Sequence, residues 1–267
     1  MATDDPVLWE ASDRVATITL NRPDARNALS SEVLDLLPRL MGRAEEDDSI
    51  DVMVLTGTDP AFCAGLDLKE LSSTAGNLGG GRGGGGSGSD GGANAYGTRG
   101  PFPPHTKPLI GAVNGVAVTG GFELALNCDF LVASERAKFG DTHARVGIMP
   151  GWGLAVLLPQ AVGIRRAREM SFTGNFMDAE EALAFGLVNR VVAHHELLPT
   201  VRAIAADIIG NDQAALRSLR ATYEAVTFND DGWEAEARSA RTWRRDNFSA
   251  EQVAERRATI QARGRQQ

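Results

Sequence analysis

Apolar and polar residues alternate in blocks along the first 190 or so positions, and the blocks have two different periods. Val15–Leu20 (VATITL) is a short β-branched run that stops at the turn-forming NRPDARN, where Pro23 blocks continuation of a strand. From Ser30 to Glu46 the apolar positions Val33, Leu34, Leu37, Leu40, Met41 and Ala44 recur at helical spacing, with Pro38 predicting a kink or an early break. Asp51–Thr56 (DVMVLT) is a compact buried-type strand ending at Gly57, and KPLIGAVNG holds another. Phe122–Cys128 fits a helix and Asp129–Ala133 a strand, while 153–162 and 164–171 read as helices. Asp178 followed by Glu181 is an acidic form of a capping box, and Gly186 sits where a helix should stop. Leu197, Val201, Ile204 and Ile208 then keep helical spacing, and most of the remaining chain also reads as helix. Strands alternating with helices predict an α/β core with parallel strands, followed by a helical tail.

Composition changes this picture in one place. Glycine is high, 30 of 267 residues, but thirteen of these lie between Gly76 and Gly100. The excess is one local insert, so a collagen-like or wholly disordered chain is excluded. That insert imitates a phosphate loop in composition only. It has no lysine for a Walker loop, and its GxGxxG matches neither follow a strand nor open a helix. A flexible surface loop, a flap or spacer, is the better reading. The 43% hydrophobic content supports a sizeable core, and no run of 18 apolar residues is present to span a membrane. The start, MATDDPVLWE, lacks the basic-then-apolar pattern of a secretory leader. A net charge of -8 argues against nucleic acid as the main partner. Two cysteines, Cys63 and Cys128, make no disulfide framework and suit a reducing cytoplasm. Eight arginines between Arg238 and Arg265 read as a solvated helix face, with a subunit contact or a phosphate-binding edge as other readings.

Two segments carry candidate chemistry. AFCAGLD (Ala61–Asp67) is a small-residue turn after a strand, and NGVAVTGGFELAL (Asn114–Leu126) runs Gly120 and Gly121 into a helix. Small residues permit close backbone approach to a ligand, and the first N–H groups of a helix are unpaired at its positive end. Glu123 lies one turn after Gly120, so a carboxylate stands beside free amide donors. It either moves protons next to a stabilised anion or simply favours a helix start. Among the histidines, His105 beside Pro103 and Pro104 is expected to be exposed, and His194 and His195 to have surface or capping roles. No Cys/His/carboxylate spacing suggests a metal site, and Cys63 has no base placed to make it a nucleophile.

AFCAGLDLKE and NGVAVTGGFELALNCDFLVASERAKFG closely resemble the enoyl-CoA hydratase/isomerase (crotonase) superfamily, with support from LNRPDARNAL, GLVNRVV and DNFSAEQVAERR. The likeness spans about Val7 to Arg257 apart from the glycine insert. It implies a spiral core of ββα units over residues 1–195, with 76–100 as a flexible loop beside the acyl pocket. A helical region used in trimerisation would follow over 196–267. It further implies an acyl-CoA thioester substrate processed through an enolate, with no separate cofactor and no metal. A homotrimer or dimer of trimers is the implied assembly, while the cytoplasmic setting and the lack of nucleic-acid and membrane partners rest on the composition above. Under this resemblance the Leu66 and Gly120 N–H groups form an oxyanion hole; one such donor is typically worth about 3–4 kcal/mol in the transition state. The turns Arg26–Leu29 and Ala64–Leu68 would hold the CoA, with Arg26, Ala28, Ala64, Gly65, Asp67, Leu68, Gly121 and Phe248 as substrate-binding positions. Phe248 matches a position near a neighbouring subunit's CoA site.

Hydratases of the superfamily use two glutamates. The first matches Glu123, but the second position is occupied by His143, with Asp141 nearby as a substitute. GWGLAVLLPQ is also less polar than the corresponding family run, so the acyl pocket is expected to be unusual. The leading expectation is hydration of 2-trans-enoyl-CoA, with Glu123 as the main acid/base and His143, with an ordinary pKa near ~6.5, as its partner. Double-bond isomerisation or another crotonase reaction on a single Glu is the alternative, as is a non-catalytic acyl-CoA-binding member, because His143 replaces the second glutamate.

Overall fold

The computed structural model describes residues 4–73, 100–227 and 230–265. Nearly all of the glycine insert therefore lies outside the described residues. Two sheets share the core. The larger has six strands: β1 (Val7–Ser12), β2 (Val15–Leu20), β3 (Val52–Gly57), β5 (Leu109–Val113), β7 (Phe130–Ser134) and β10 (Arg190–Val192), in that order. Only β1 is antiparallel to its neighbour; the rest run parallel. The smaller sheet is β4 (Ala61–Cys63), β6 (Val116–Val118), β8 (Lys138–Gly140) and β9 (Met177–Asp178). Each of β3, β5 and β7 is followed directly by a short strand of the second sheet, so the chain climbs as a spiral that adds one strand to each sheet per turn. The central parallel strands β3 and β5 are buried on both faces, which explains their unbroken apolar runs.

Helix α1 (Ser31–Glu46) starts at the Ser30 side chain, which accepts from Val33 N, and continues through Pro38. The expected break does not occur, because the ring sits among the buried residues of this face and packing outweighs one lost hydrogen bond. At its far end the buried Lys107 donates to the carbonyls of Ala44 (2.7 Å) and Asp47 (2.8 Å), satisfying helix-end acceptors with a cation. Helices α2 (Leu68–Ser73), α3 (Gly120–Leu126) and α4 (His143–Val146) follow β4, β6 and β8 in the spiral. Next come α5 (Leu154–Val162), α6 (Ile164–Thr173) and α7 (Ala179–Ala184). The Asp178 carboxylate accepts from Glu181 N at 2.9 Å, and Gly186 follows at φ +79°, both as the sequence predicts.

The tail forms α8 (Leu197–Ile209), α9 (Gln213–Thr227), α10 (Asp230–Asn247) and α11 (Ala250–Arg265). Leu197, Val201 and Ala205 of α8 pack on Val52, Val54, Ile110 and Val132 of the large sheet. Arg220 of α9 grips Asp129 at 2.9 Å and also His105, donating to its carbonyl (2.8 Å) and contacting Nε2 (2.9 Å). His105 is thus partly buried rather than exposed, because the arginine and Phe102 cover it. No helix among the described residues is long and apolar enough to cross a membrane.

Candidate active site

The two motif turns are neighbours because β4 and β6 pair in parallel, Ala61 with Val116 and Cys63 with Ala117. Glycine is required where they touch. Gly65 has φ +79°, and a Cβ on it would lie 2.8 Å from the Val118 carbonyl; a Cβ on Gly121 would lie 2.3 Å from the Cys63 carbonyl. These contacts set the Leu66 turn beside Gly120, the first residue of α3. Leu66 forms a parallel bridge with Leu29 that uses the Gly65 carbonyl and the Asp67 N–H and leaves Leu66 N out of the pairing. Among the described residues, neither Leu66 N nor Gly120 N has a backbone acceptor. The same bridge laces the two expected CoA-binding turns together, as do Ala64 N to Arg26 O at 3.0 Å and the Arg22–Asp67 ion pair at 2.9 Å. Arg22 also pulls the Asp67 carboxyl below its usual range, against its partial burial. Ala28 is buried in this pair of turns, whereas the Arg26 side chain is exposed.

Glu123 points inward from the first turn of α3 and is 3% exposed. Its Oε1 accepts from the N–H groups of Gly151 (3.1 Å) and Trp152 (2.7 Å). Its Oε2 lies 3.2 Å from Nε2 of His143, whose Nδ1 is 2.7 Å from Asp141 Oδ1. The three side chains form one buried chain, Asp141–His143–Glu123, all under 6% exposed. Burial by itself would lower the imidazole pKa, but Glu123 and Asp141 on its two sides outweigh that and push it up to about 10. Asp141 is in turn held below its usual range, its burial outweighed chiefly by the hydrogen bond to His143. The raised pKa favours the protonated ring of His143, which stands between the side chains of Glu123 and Asp141.

Backbone strain ties this chain to the amide donors. Thr119, immediately before Gly120, has φ +54°, a costly value for a β-branched residue. Its hydroxyl bonds that of Thr142, immediately before His143. The Trp152 ring and the Leu29 side chain both lie against Gly120; a Cβ on Gly120 would meet each at 3.3 Å.

A model of the enoyl-CoA hydratase/isomerase family matches residues 10–86 and 99–259. The chain belongs to that family. A solved enoyl-CoA hydratase from Mycobacterium tuberculosis H37Rv is 50% identical and superposes with a TM-score of 0.77, over 90% of this chain and 98% of that one. A probable peroxisomal enoyl-CoA hydratase of Arabidopsis thaliana is 39% identical over 78% of this chain and 74% of its own length. A short-chain-enoyl-CoA hydratase of Clostridium acetobutylicum is 38% identical over 79% and 78%. The spiral of paired strands and helices is thus a crotonase fold.

Of the positions singled out by resemblance to this family, Glu123, His143, Gly120, Gly121 and the Ala64–Leu68 turn come together in one region. Phe248 lies further along the same wall, packed within this chain on Leu71, Val146 and Ile148 together with Val253 of α11. Cys63 and Cys128 are buried free thiols, and burial pushes the Cys63 thiol up to about 12, away from the reactive thiolate. His194 bonds Ser134 (3.0 Å) and Asp59 (2.9 Å) away from this centre. Among the described residues no group of three His, Cys, Asp or Glu is arranged to hold a metal. The Gly151–Trp152 amide pair and the Thr119–Thr142 link escaped the sequence reading. A Pro-Gly-Trp-Gly stretch just after the second motif is the one signal that marked that loop.

Proposed function

We propose that the protein hydrates a 2-trans-enoyl-CoA, using Glu123 and His143 in complementary protonation states. The Asp141–His143–Glu123 chain carries this reading, since it supplies a carboxylate and an imidazolium within 3.2 Å of each other. Glu123 takes a proton from water as its oxygen bonds to C3, and the C2–C3 π electrons move onto the thioester. The N–H groups of Leu66 and Gly120 receive the enolate oxygen. His143 Nε2–H then protonates C2, leaving neutral imidazole and protonated Glu123. A proton passing across the Glu123–His143 contact restores the starting state, so the water's two hydrogens are fully accounted for. An imidazolium replaces the second glutamate of the resemblance without loss of an acid, because Glu123 and then Asp141 favour its charged form and the Asp141 contact orients the ring.

On this reading the turns Arg26–Leu29 and Ala64–Leu68, with Asp67 and Leu68, hold the CoA, and no separate cofactor is required. A homotrimer or dimer of trimers, working in the cytoplasm, completes the proposal. The relatives' names support the hydratase activity, although one of them is peroxisomal. A panel of 2-trans-enoyl-CoA thioesters tests it by product analysis: wild-type protein should yield 3-hydroxyacyl-CoA, and Glu123→Gln should not. Conversion of 3-enoyl-CoA to 2-enoyl-CoA without hydration would replace this reading with an isomerase, and equal turnover by Glu123→Gln would remove Glu123 from the chemistry.

A further inference from the structure

The loop that holds Glu123 is itself held from behind. Its first two N–H groups, Gly151 and Trp152, point to Glu123 Oε1. Two more, Gly153 and Ala155, point the other way and are accepted by the two oxygens of Glu236 on α10. Glu236 is 6% exposed, so these are buried carboxyl-to-amide bonds rather than a surface pairing. The loop has little other freedom. Asn127 donates to the Trp152 carbonyl at 2.7 Å, and Gly153, at φ +96°, rests against the Trp233 ring, where a Cβ would lie at 2.2 Å. Four of the five residues from Gly151 to Ala155 thus give their N–H groups to two buried carboxyl groups, one from α3 and one from α10.

We propose that Glu236 is a positioning residue for the hydration chemistry: by fixing Gly153 and Ala155 it aims the Gly151 and Trp152 N–H groups and so holds Glu123 in its proton-transfer geometry. The proposal rests on the reading of Glu123 given above. It gives the helical tail a part in turnover, since α10 reaches the reacting carboxylate through one loop. Burial and the charge of Glu123 push the Glu236 carboxyl up to about 7, against the pull of its two backbone donors and His143. Retaining an acidic group under that load fits a positional demand, whereas a leucine of similar volume would fill the space without orienting the loop.

The test is steady-state hydration of crotonyl-CoA by wild type, Glu236→Ala, Glu236→Gln and Glu123→Gln, with a thermal melt on each. Misplacing a reacting group by about 1 Å costs on the order of 100-fold, so Glu236→Ala should lower kcat about 10–100-fold with KM changed by less than about threefold. Glu236→Gln keeps one acceptor oxygen and the side-chain shape, so it should recover most of that loss while remaining measurably below wild type. If Glu236→Ala does not fold, Glu236→Gln decides alone: a lowered kcat at unchanged KM supports the proposal, and unchanged kcat overturns it. Wild-type kcat in folded Glu236 variants, or an effect confined to KM, overturns the proposal while leaving the Glu123 reading intact. Wild-type turnover by Glu123→Gln removes both.

Discussion

Two of the acid–imidazole arrangements among the described residues are built from nearly the same parts. In one, Asp141, His143 and Glu123 are all buried, and both carboxylates press on the ring from opposite sides. In the other, His194 bridges the end of β7, through Ser134, to Asp59, which is 57% exposed. The first touches the helix that begins at Gly120; the second fastens a strand end to a turn. An acid–histidine pair is defined by what surrounds it. Low dielectric around Asp141–His143–Glu123 turns two short contacts into a charge state held far from the ordinary one, whereas solvent at Asp59 screens the same contact into a local tie.

The largest expected difference between the chains is in turnover. Glu123→Gln should lower kcat for enoyl-CoA hydration by about 10³-fold or more, since it removes a proton acceptor that also faces the imidazolium. Activity above a tenth of wild type would place the base elsewhere. Next, His143→Gln should cost about 10²–10³-fold, and His143→Glu, which restores the residue type of the resemblance, should recover much of it. Identical losses in the two variants would show that the ring itself is needed rather than an acid. Third, Asp141→Asn should reduce kcat about tenfold and shift its alkaline limb to lower pH, because the imidazolium loses one of its two carboxylates. An unmoved limb would show that Glu123 alone sustains the charge.

The pH dependence of stability sharpens the contrast further. The His143 pKa is raised on folding, from about 6.5 to about 10. Its stabilising contribution is therefore fully present below pH 6.5 and is lost as pH rises through about 10. The difference in Tm between wild type and His143→Gln should shrink over that interval, and a constant difference would contradict the charged ring. The smallest effect belongs to the other chain: His194→Gln should leave kcat unchanged and cost about 1 kcal/mol in a denaturation midpoint. A fall in kcat would show that the strand tie matters to the site.

The parallel core was legible because its strands are long apolar runs bounded by turns, as at Val52–Gly57 and Leu109–Val113. The second sheet was not, since strands of two or three residues such as β4, β6, β8 and β9 carry no readable period. β1 was missed because VLWEAS is an edge strand whose later residues are exposed. Glu123 and the two glycine turns stood out through motif spacing. The charged state of His143 did not, because it depends on Glu123 from another helix lying 3.2 Å away. Glu236 was silent for the same reason: one acidic residue in a charged helix acquires its meaning only when Gly153 and Ala155 are folded against it. Pro38 and His105 misled, since a local rule gave the expectation and packing from α1's buried face and from Arg220 decided the outcome.

Nitrogen-15 NMR of the histidine rings reads directly whether His143 is an imidazolium held between Glu123 and Asp141 in the resting protein. Both His143 nitrogens should stay protonated through neutral pH and the ring should titrate near pH 10, while Glu123→Gln should move the titration downward. A His143 ring that is neutral at pH 7.5 and titrates near its ordinary value of about 6.5 would contradict it.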